Sequence, residues 1–217
     1  MVSSREEPDN ARADDALPER AEAVLRFWFG EQAGRVGPVP AAKQQMWWQG
    51  GPETDAFIRE SWMSIWSEAV DGGLDHWARL PEGRLALILL LDQFSRHIHR
   101  GHGYAYEQDE RAQLLCLAGL DRQSHRALTP IQRVFFYLPL EHAEDSHLQA
   151  RSVHLYEELL NEVPAADADE YRTYLGFARS HRDVIERFGR FPHRNAELGR
   201  ESIPEEAAFL RTEGRGF

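Results

Sequence analysis

The stretch PEGRLALILLLDQFSR, residues 81–96, decides the fold. Leu85 to Leu91 is the longest apolar run in the chain, and Pro81 stands where a helix can begin, because a first turn has no use for the missing N–H. Seven apolar residues fall far short of the roughly 20 that a helix needs to cross a bilayer. A helix that is apolar on every side must instead lie among other helices, so the segment predicts the centre of a helical core. Its end turns polar. Asp92 and Arg96 are spaced i, i+4, which makes an intrahelical ion pair the simplest reading. The functional reading is that Asp92 and Gln93 project into a polar pocket there, and a carboxylate beside a buried run needs a partner in either case.

Helical punctuation continues on both sides. Pro18 precedes a helix through Phe29 that Gly30 can stop, and residues 53–71 carry Phe57, Trp62, Ile65, Trp66 and Ala69 at helical spacing before Gly72 and Gly73. Another helix is predicted from Tyr104 to about Arg122. Thr129-Pro130-Ile131-Gln132 has the capping-box pattern, and Pro139 reads as the break or restart of the helix that follows. Segments at 139–162 and 169–188 come next, and Ser202-Ile203-Pro204-Glu205 opens a last short helix. No run alternates with period 2 between hairpin turns, so the fold class is all-α. Residues 18–217 read as a single helical domain, and the acidic, apolar-poor residues 1–17 as a disordered tail. No repeat of the common helical solenoids is visible, which leaves bundle and solenoid both open.

Charge and cysteine content narrow the partners. The formal charge of −11 repels nucleic acid, and the N-terminus resembles neither a signal peptide nor a membrane anchor. Cys116 is the single cysteine and cannot form an intrachain disulfide, which fits a reducing cytoplasm; its helical surroundings predict a buried, inert thiol.

Residues 188–200, FGRFPHRNAELGR, hold the densest mixture of functional groups. Gly189 can take positive φ after a helix and Pro192 forces Phe191 out of the α region, so the segment predicts a rigid turn that aims Arg190, His193, Arg194 and Asn195 in directions a helix does not allow. Residues 179–200 contain six arginines against three carboxylates, a local positive excess in an acidic chain. Arg190 and Arg194 lie past the helix end and need partners. Either they clamp Glu141, Glu144 or Asp145, or they form a pocket for a phosphate or carboxylate.

The acidic segment PLEHAED, residues 139–145, is the natural counterpart. If Pro139 begins a helix, Glu141, Glu144 and Asp145 simply offset its positive end, but that leaves His142 unexplained. Glu141 and Asp145 share a helix face, so with His142 and a distant His181 or His193 they can serve as acid and base or approach a cation. No HExxH-type spacing sets two histidines on one face, so no metal or other cofactor is assigned. His97 and His99 are two apart and point away from each other, and Gly101 intervenes before His102; all three are expected at the surface. Phe27-Trp28-Phe29 and Trp47-Trp48 are expected in the core.

The blocks FWFG (27–30), LILLLDQFSR (87–96), FFYLPLEHAED (135–145) and FGRFPHRNAELGR (188–200) resemble, in order, the signature blocks of the mainly bacterial domain-of-unknown-function family 924, over residues 20 to 212 or so. The resemblance implies an all-α fold of the tetratricopeptide-like (TPR-like) superfamily, a right-handed array of antiparallel helix pairs, and no particular activity. Against that pattern the chain carries histidines at 97, 99 and 102 and alanine at 143, where serine is usual. Two function classes follow. One is a binding or scaffold protein whose pocket, formed by Asp92, Gln93, Arg96, Glu141, His142, Asp145, Arg190, His193, Arg194 and Asn195, takes a small anionic ligand or a peptide. The other is a small-molecule enzyme, hydrolase-like with or without the assistance of a metal, with His142 or His193 as base, Glu141 as acid or metal ligand, and Arg190 and Arg194 holding an anionic substrate.

Overall fold

In the computed structural model, which describes residues 16–30 and 40–212, helix boundaries follow the punctuation closely. Helix α1 is Glu19–Phe29, α2 Ala41–Trp48 and α3 Pro52–Val70. The central element begins as α4 (Pro81–Ile88), widens to a π-helical turn at Leu89–Phe94 and ends as α5 (Ser95–Ile98). Then come α6 (Asp109–Asp121), α7 (Pro130–Glu141), α8 (Ser146–Glu162), α9 (Ala168–Phe188) and α10 (Pro204–Thr212). Among the described residues there is no strand, and no helix is long and apolar enough to cross a membrane. The tail expected at 1–17 lies outside the described residues except at its end, where Leu17 packs on the core.

The apolar run occupies the centre it demands. Leu85 through Leu91 are all fully buried, and the helix that carries them is surrounded by α1, α6 and α7. Each such side chain withdrawn from water contributes about 1.5–3 kcal/mol, so this run alone supplies a large part of the hydrophobic stabilisation. The close packing requires Gly83: a Cβ there would lie 2.3 Å from the carbonyl oxygen of Trp77. Against this rod sits an aromatic cluster. Trp28 meets Phe94 at 5.5 Å and Phe135 edge-on at 5.6 Å between ring centroids, and Trp47 donates its indole N–H to the Trp28 carbonyl (3.1 Å).

Three boundaries depart from the sequence reading. Tyr104 lies in a 3-10 turn (Gly103–Ala105), and α6 starts only at Asp109. Pro139 neither breaks nor restarts its helix: it sits inside the last turn of α7, which runs on to Glu141. Helix α8 begins at Ser146, with the Asp145 carboxylate accepting from the N–H groups of His147 (2.8 Å) and Leu148 (2.9 Å). Glu141 therefore ends a helix, and the first-turn explanation holds only for the Asp145 cap. The capping box at Thr129 and Gln132 forms as predicted.

The C-terminal turn docks on α9 through its own small core. Gly189 takes φ 69° and stops α9, and Phe191, fully buried, packs with Val184, Ile185 and Phe209. A 3-10 turn, Pro192–Arg194, then carries the chain back toward the central helix.

Candidate functional site

The π-helical turn is where the central helix changes from structure to chemistry. It inserts an extra residue per turn and rotates Asp92 and Gln93 off the register of the preceding α-helix, a feature that recurs at functional sites. Ser95 closes the turn, accepting from the Trp66 indole (2.9 Å) and donating to the Leu91 carbonyl (2.6 Å). Asp92 is left fully buried. Gln93 donates to its Oδ2 (2.5 Å), and Arg96 pairs with its Oδ1 (3.0 Å), the i, i+4 bridge read from the sequence. Burial pushes the carboxyl up, but Arg96 and His142 pull it well below the usual carboxylate range. An ionised carboxylate only accepts, so His142 must carry its proton on Nδ1, which lies 2.7 Å from Asp92 Oδ1.

His142 sits at the end of α7 and lines a cavity of about 610 Å³. The polar part of the lining includes Gln93, Arg96, Glu141, His142, His181, His193 and Arg194; the aromatic part includes Trp47, Trp48, Tyr174 and Phe177. Glu141 is buried, and burial pushes its carboxyl up to about 8 despite the neighbouring Tyr156 hydroxyl, which donates to the Val134 carbonyl (2.9 Å). It therefore holds its proton at neutral pH. His181 Nδ1 lies 3.1 Å from Glu141 Oε1 and 2.9 Å from the Phe177 carbonyl, and burial together with His142 pushes the ring down to about 3. Burial and then Arg194 push His193 down to about 4, while burial and then Arg96 lower His142. All three imidazoles line the cavity, and burial disfavours the charged form of each.

Arg194 supplies the strongest fixed charge. Its guanidinium lies between the rings of Tyr106 and Phe191, 4.6 Å from each centroid, and donates through Nη1 to Asp109 (3.1 Å). Its buried Nε has no hydrogen-bond partner among the described residues. Asp109 also binds Arg96, so the two arginines share one carboxylate and are locked side by side.

Of the residues singled out by sequence, Gln93, Arg96, Glu141, His142, His193 and Arg194 reach the cavity, with Asp92 directly behind His142. Asp145, Arg190 and Asn195 do not. Asp145 caps α8, while Arg190 and Asn195 both bind Glu206, which is 1% exposed. The expected clamp between Arg190 or Arg194 and the 141–145 carboxylates is corrected accordingly. Arg190 takes Glu206, Arg194 takes Asp109, and the residue that holds Glu144 is Arg200, bidentate at 2.6 and 2.9 Å. The turn folds Arg194 inward toward the central helix, out of reach of α7, because Phe191 must fill the small core.

The surface placement of the histidines also needs correction. His102 is exposed and His99 half-buried, but His97 is 4% exposed, hydrogen-bonded through Nδ1 to Asp55 (2.7 Å), and lines the cavity. Residues two apart do diverge on the helix, and one of the two directions points inward. Trp48 leaves the core and stands 40% exposed, stacked on Phe135 (5.6 Å) beside Phe177. Sequence reasoning missed Tyr106, Asp109 and Tyr156. Asp109 gave no signal beyond an ordinary first-turn acid. Among the described residues, no group of three or more His, Cys, Asp and Glu has the arrangement of a metal site.

Residues 24–214 match the family described as bacterial proteins of unknown function, DUF924. A solved structure of a protein of unknown function from Agrobacterium tumefaciens is similar, with 35% identity, a TM-score of 0.73, and coverage of 88% of this chain and 96% of that one. No curated protein matches the chain. With nearly its whole length accounted for by one family model and this all-helical relative, the chain belongs to the bacterial family DUF924.

Proposed function

We propose that the cavity binds a small organic anion, its carboxylate or phosphate set against Arg194 and Arg96 and its apolar body against Trp48, Tyr174 and Phe177. The observation that carries this reading is a pair of arginines on the cavity lining, Arg96 and Arg194, that share the single carboxylate of Asp109, with Arg194 only 6% exposed and 4.6 Å from the ring centroids of Tyr106 and Phe191. Held rigid, the pair can meet an oxyanion without first ordering its side chains. The volume, about 610 Å³, suits a small molecule better than an extended peptide. A cytoplasmic setting fits Cys116, which is buried with its thiol pushed up by burial. A TPR-like pairing of helices belongs to the same proposal, with α7, α8 and α9 packing as consecutive neighbours.

The test is a thermal titration with phosphate, acetate, glutarate and phenylacetate against chloride at matched ionic strength. At least one oxyanion should raise the melting temperature saturably, as binding to the folded state alone requires, and Arg194→Ala should abolish the rise. A rise that is linear in ionic strength, equal for chloride and unchanged by Arg194→Ala, overturns the reading.

A further inference from the structure

Anion binding leaves the acid–base groups of the polar lining without a task. His142 spends Nδ1–H on Asp92, so its other ring nitrogen is a lone-pair acceptor on a residue that lines the cavity. Next to it in the chain, Glu141 also lines the cavity, with a protonated carboxyl. The His142 ring lies 6.1 Å, centroid to centroid, from the His181 ring that contacts Glu141. No Ser, Thr, Cys or Lys lines the cavity among the described residues, which leaves water as the simplest nucleophile.

We propose that the cavity is an active site that hydrolyses an ester or amide of the bound organic anion, with His142 as general base, Asp92 as its positioning residue and Glu141 as general acid. This rests on the anion-binding reading, since Arg194 must hold the charged end. As the water oxygen bonds to the carbonyl carbon, its proton passes to the free nitrogen of His142, and the carbonyl electron pair moves onto oxygen, facing Arg96. Re-forming the C=O bond breaks the bond to the leaving oxygen or nitrogen, which takes the proton of Glu141. His142 then returns its proton to the Glu141 carboxylate through water. The net reaction consumes one ester and one water and yields one acid and one alcohol.

The pH dependence follows from the surroundings of both groups. Glu141 is faced by Tyr156 from α8, His181 from α9 and Asp92 from the π-helical turn. His142 is faced by Asp92 and Arg96, by His181 and His193, and more distantly by Asp109. Hydrolysis that needs a protonated Glu141 should fall above a pH of about 8, and the low-pH limb should lie below the ordinary histidine range.

The experiment uses the full chain with 4-nitrophenyl hydrogen glutarate and with monoethyl glutarate. Both should be hydrolysed saturably and inhibited by glutarate. His142→Gln should lower kcat for both by about 100-fold with KM little changed. Glu141→Gln should cut the ethyl ester by about 100-fold and the nitrophenyl ester, whose leaving group needs no proton, much less, while removing the loss of rate above pH 8. Circular dichroism and the glutarate-dependent melting shift establish that each variant is folded and still binds. If glutarate raises the melting temperature through Arg194 but neither ester is hydrolysed, or if His142→Gln leaves the rate unchanged, the catalytic inference is wrong and the binding reading stands. If glutarate does not bind and neither ester reacts, the catalytic inference falls together with its anion site.

Discussion

The C-terminal turn and the cavity wall are made of the same residue types and put them to opposite uses. In the turn, Glu206 accepts from Arg190 twice (2.7 and 2.9 Å), from Asn195 (3.1 Å) and from the Ile203 N–H (2.9 Å), while Glu144 accepts twice from Arg200 and once from the Phe191 N–H (2.7 Å). All four carboxylate oxygens of Glu206 and Glu144 are taken up. In the cavity, Arg194 keeps an unused donor, Glu141 keeps its proton, and His142 keeps a lone pair. Saturated polar groups hold a fold together; unsaturated ones, held rigid, are available to a ligand. Residue type does not distinguish the two cases, and hydrogen-bond accounting does.

The largest expected effect comes from deleting the turn. A chain ending at Phe188 loses fully buried Phe191 and the core residue Phe209, and it strips Glu144 of its partners. Its melting temperature should fall by about 10 °C or more, measured by circular dichroism. A truncated chain melting within a degree or two of the full protein would falsify the assignment of the turn to structure.

Single substitutions sharpen the contrast next. Glu206→Ala should destabilise the protein by about 2–3 kcal/mol in urea unfolding, because three donors lose their acceptor, yet leave the oxyanion-dependent melting shift intact. Arg194→Ala should abolish that shift whatever its effect on stability. The comparison collapses if Glu206→Ala removes anion binding as completely as Arg194→Ala does.

Protonation offers a subtler probe. Glu141 binds its proton more tightly folded than unfolded, so its contribution is fully present at and below its ordinary value of 4.5 and is lost as pH rises toward about 8. His142, His181 and His193 are lowered in the folded state, so between their folded values and 6.5 stability rises with pH. Together these give a stability maximum near the ordinary histidine value, and Glu141→Gln should flatten the alkaline descent in urea titrations. An unchanged descent in the variant would mean that Glu141 ionises normally.

The smallest effect concerns the half-exposed Glu144–Arg200 pair. A double-mutant cycle should give a coupling of about 1 kcal/mol, near the upper end for partly solvated pairs. Strictly additive losses would leave the turn held by its apolar contacts alone.

Helix content, core position and several caps were legible in the chain itself. The run Leu85–Leu91, the capping box at Thr129 and Gln132, and the stops at Gly30 and Gly189 are local or periodic signals, and each appears where the sequence places it. The Asp92–Arg96 bridge was legible for the same reason, since i, i+4 neighbours meet on any helix. The pairing of Arg194 with Asp109, of Arg190 with Glu206 and of His142 with Asp92 was not. These join residues far apart in sequence, and any of several carboxylates is chemically eligible for each cation. Sequence by itself determined the all-α domain, its central rod and the segments that carry chemistry, because propensity, capping and hydrophobic periodicity act over a few residues. Only the tertiary structure decided which charges are spent on one another and which remain open to the cavity, because that choice depends on how Phe191 fills its core and on the π-helical turn that swings Asp92 behind His142.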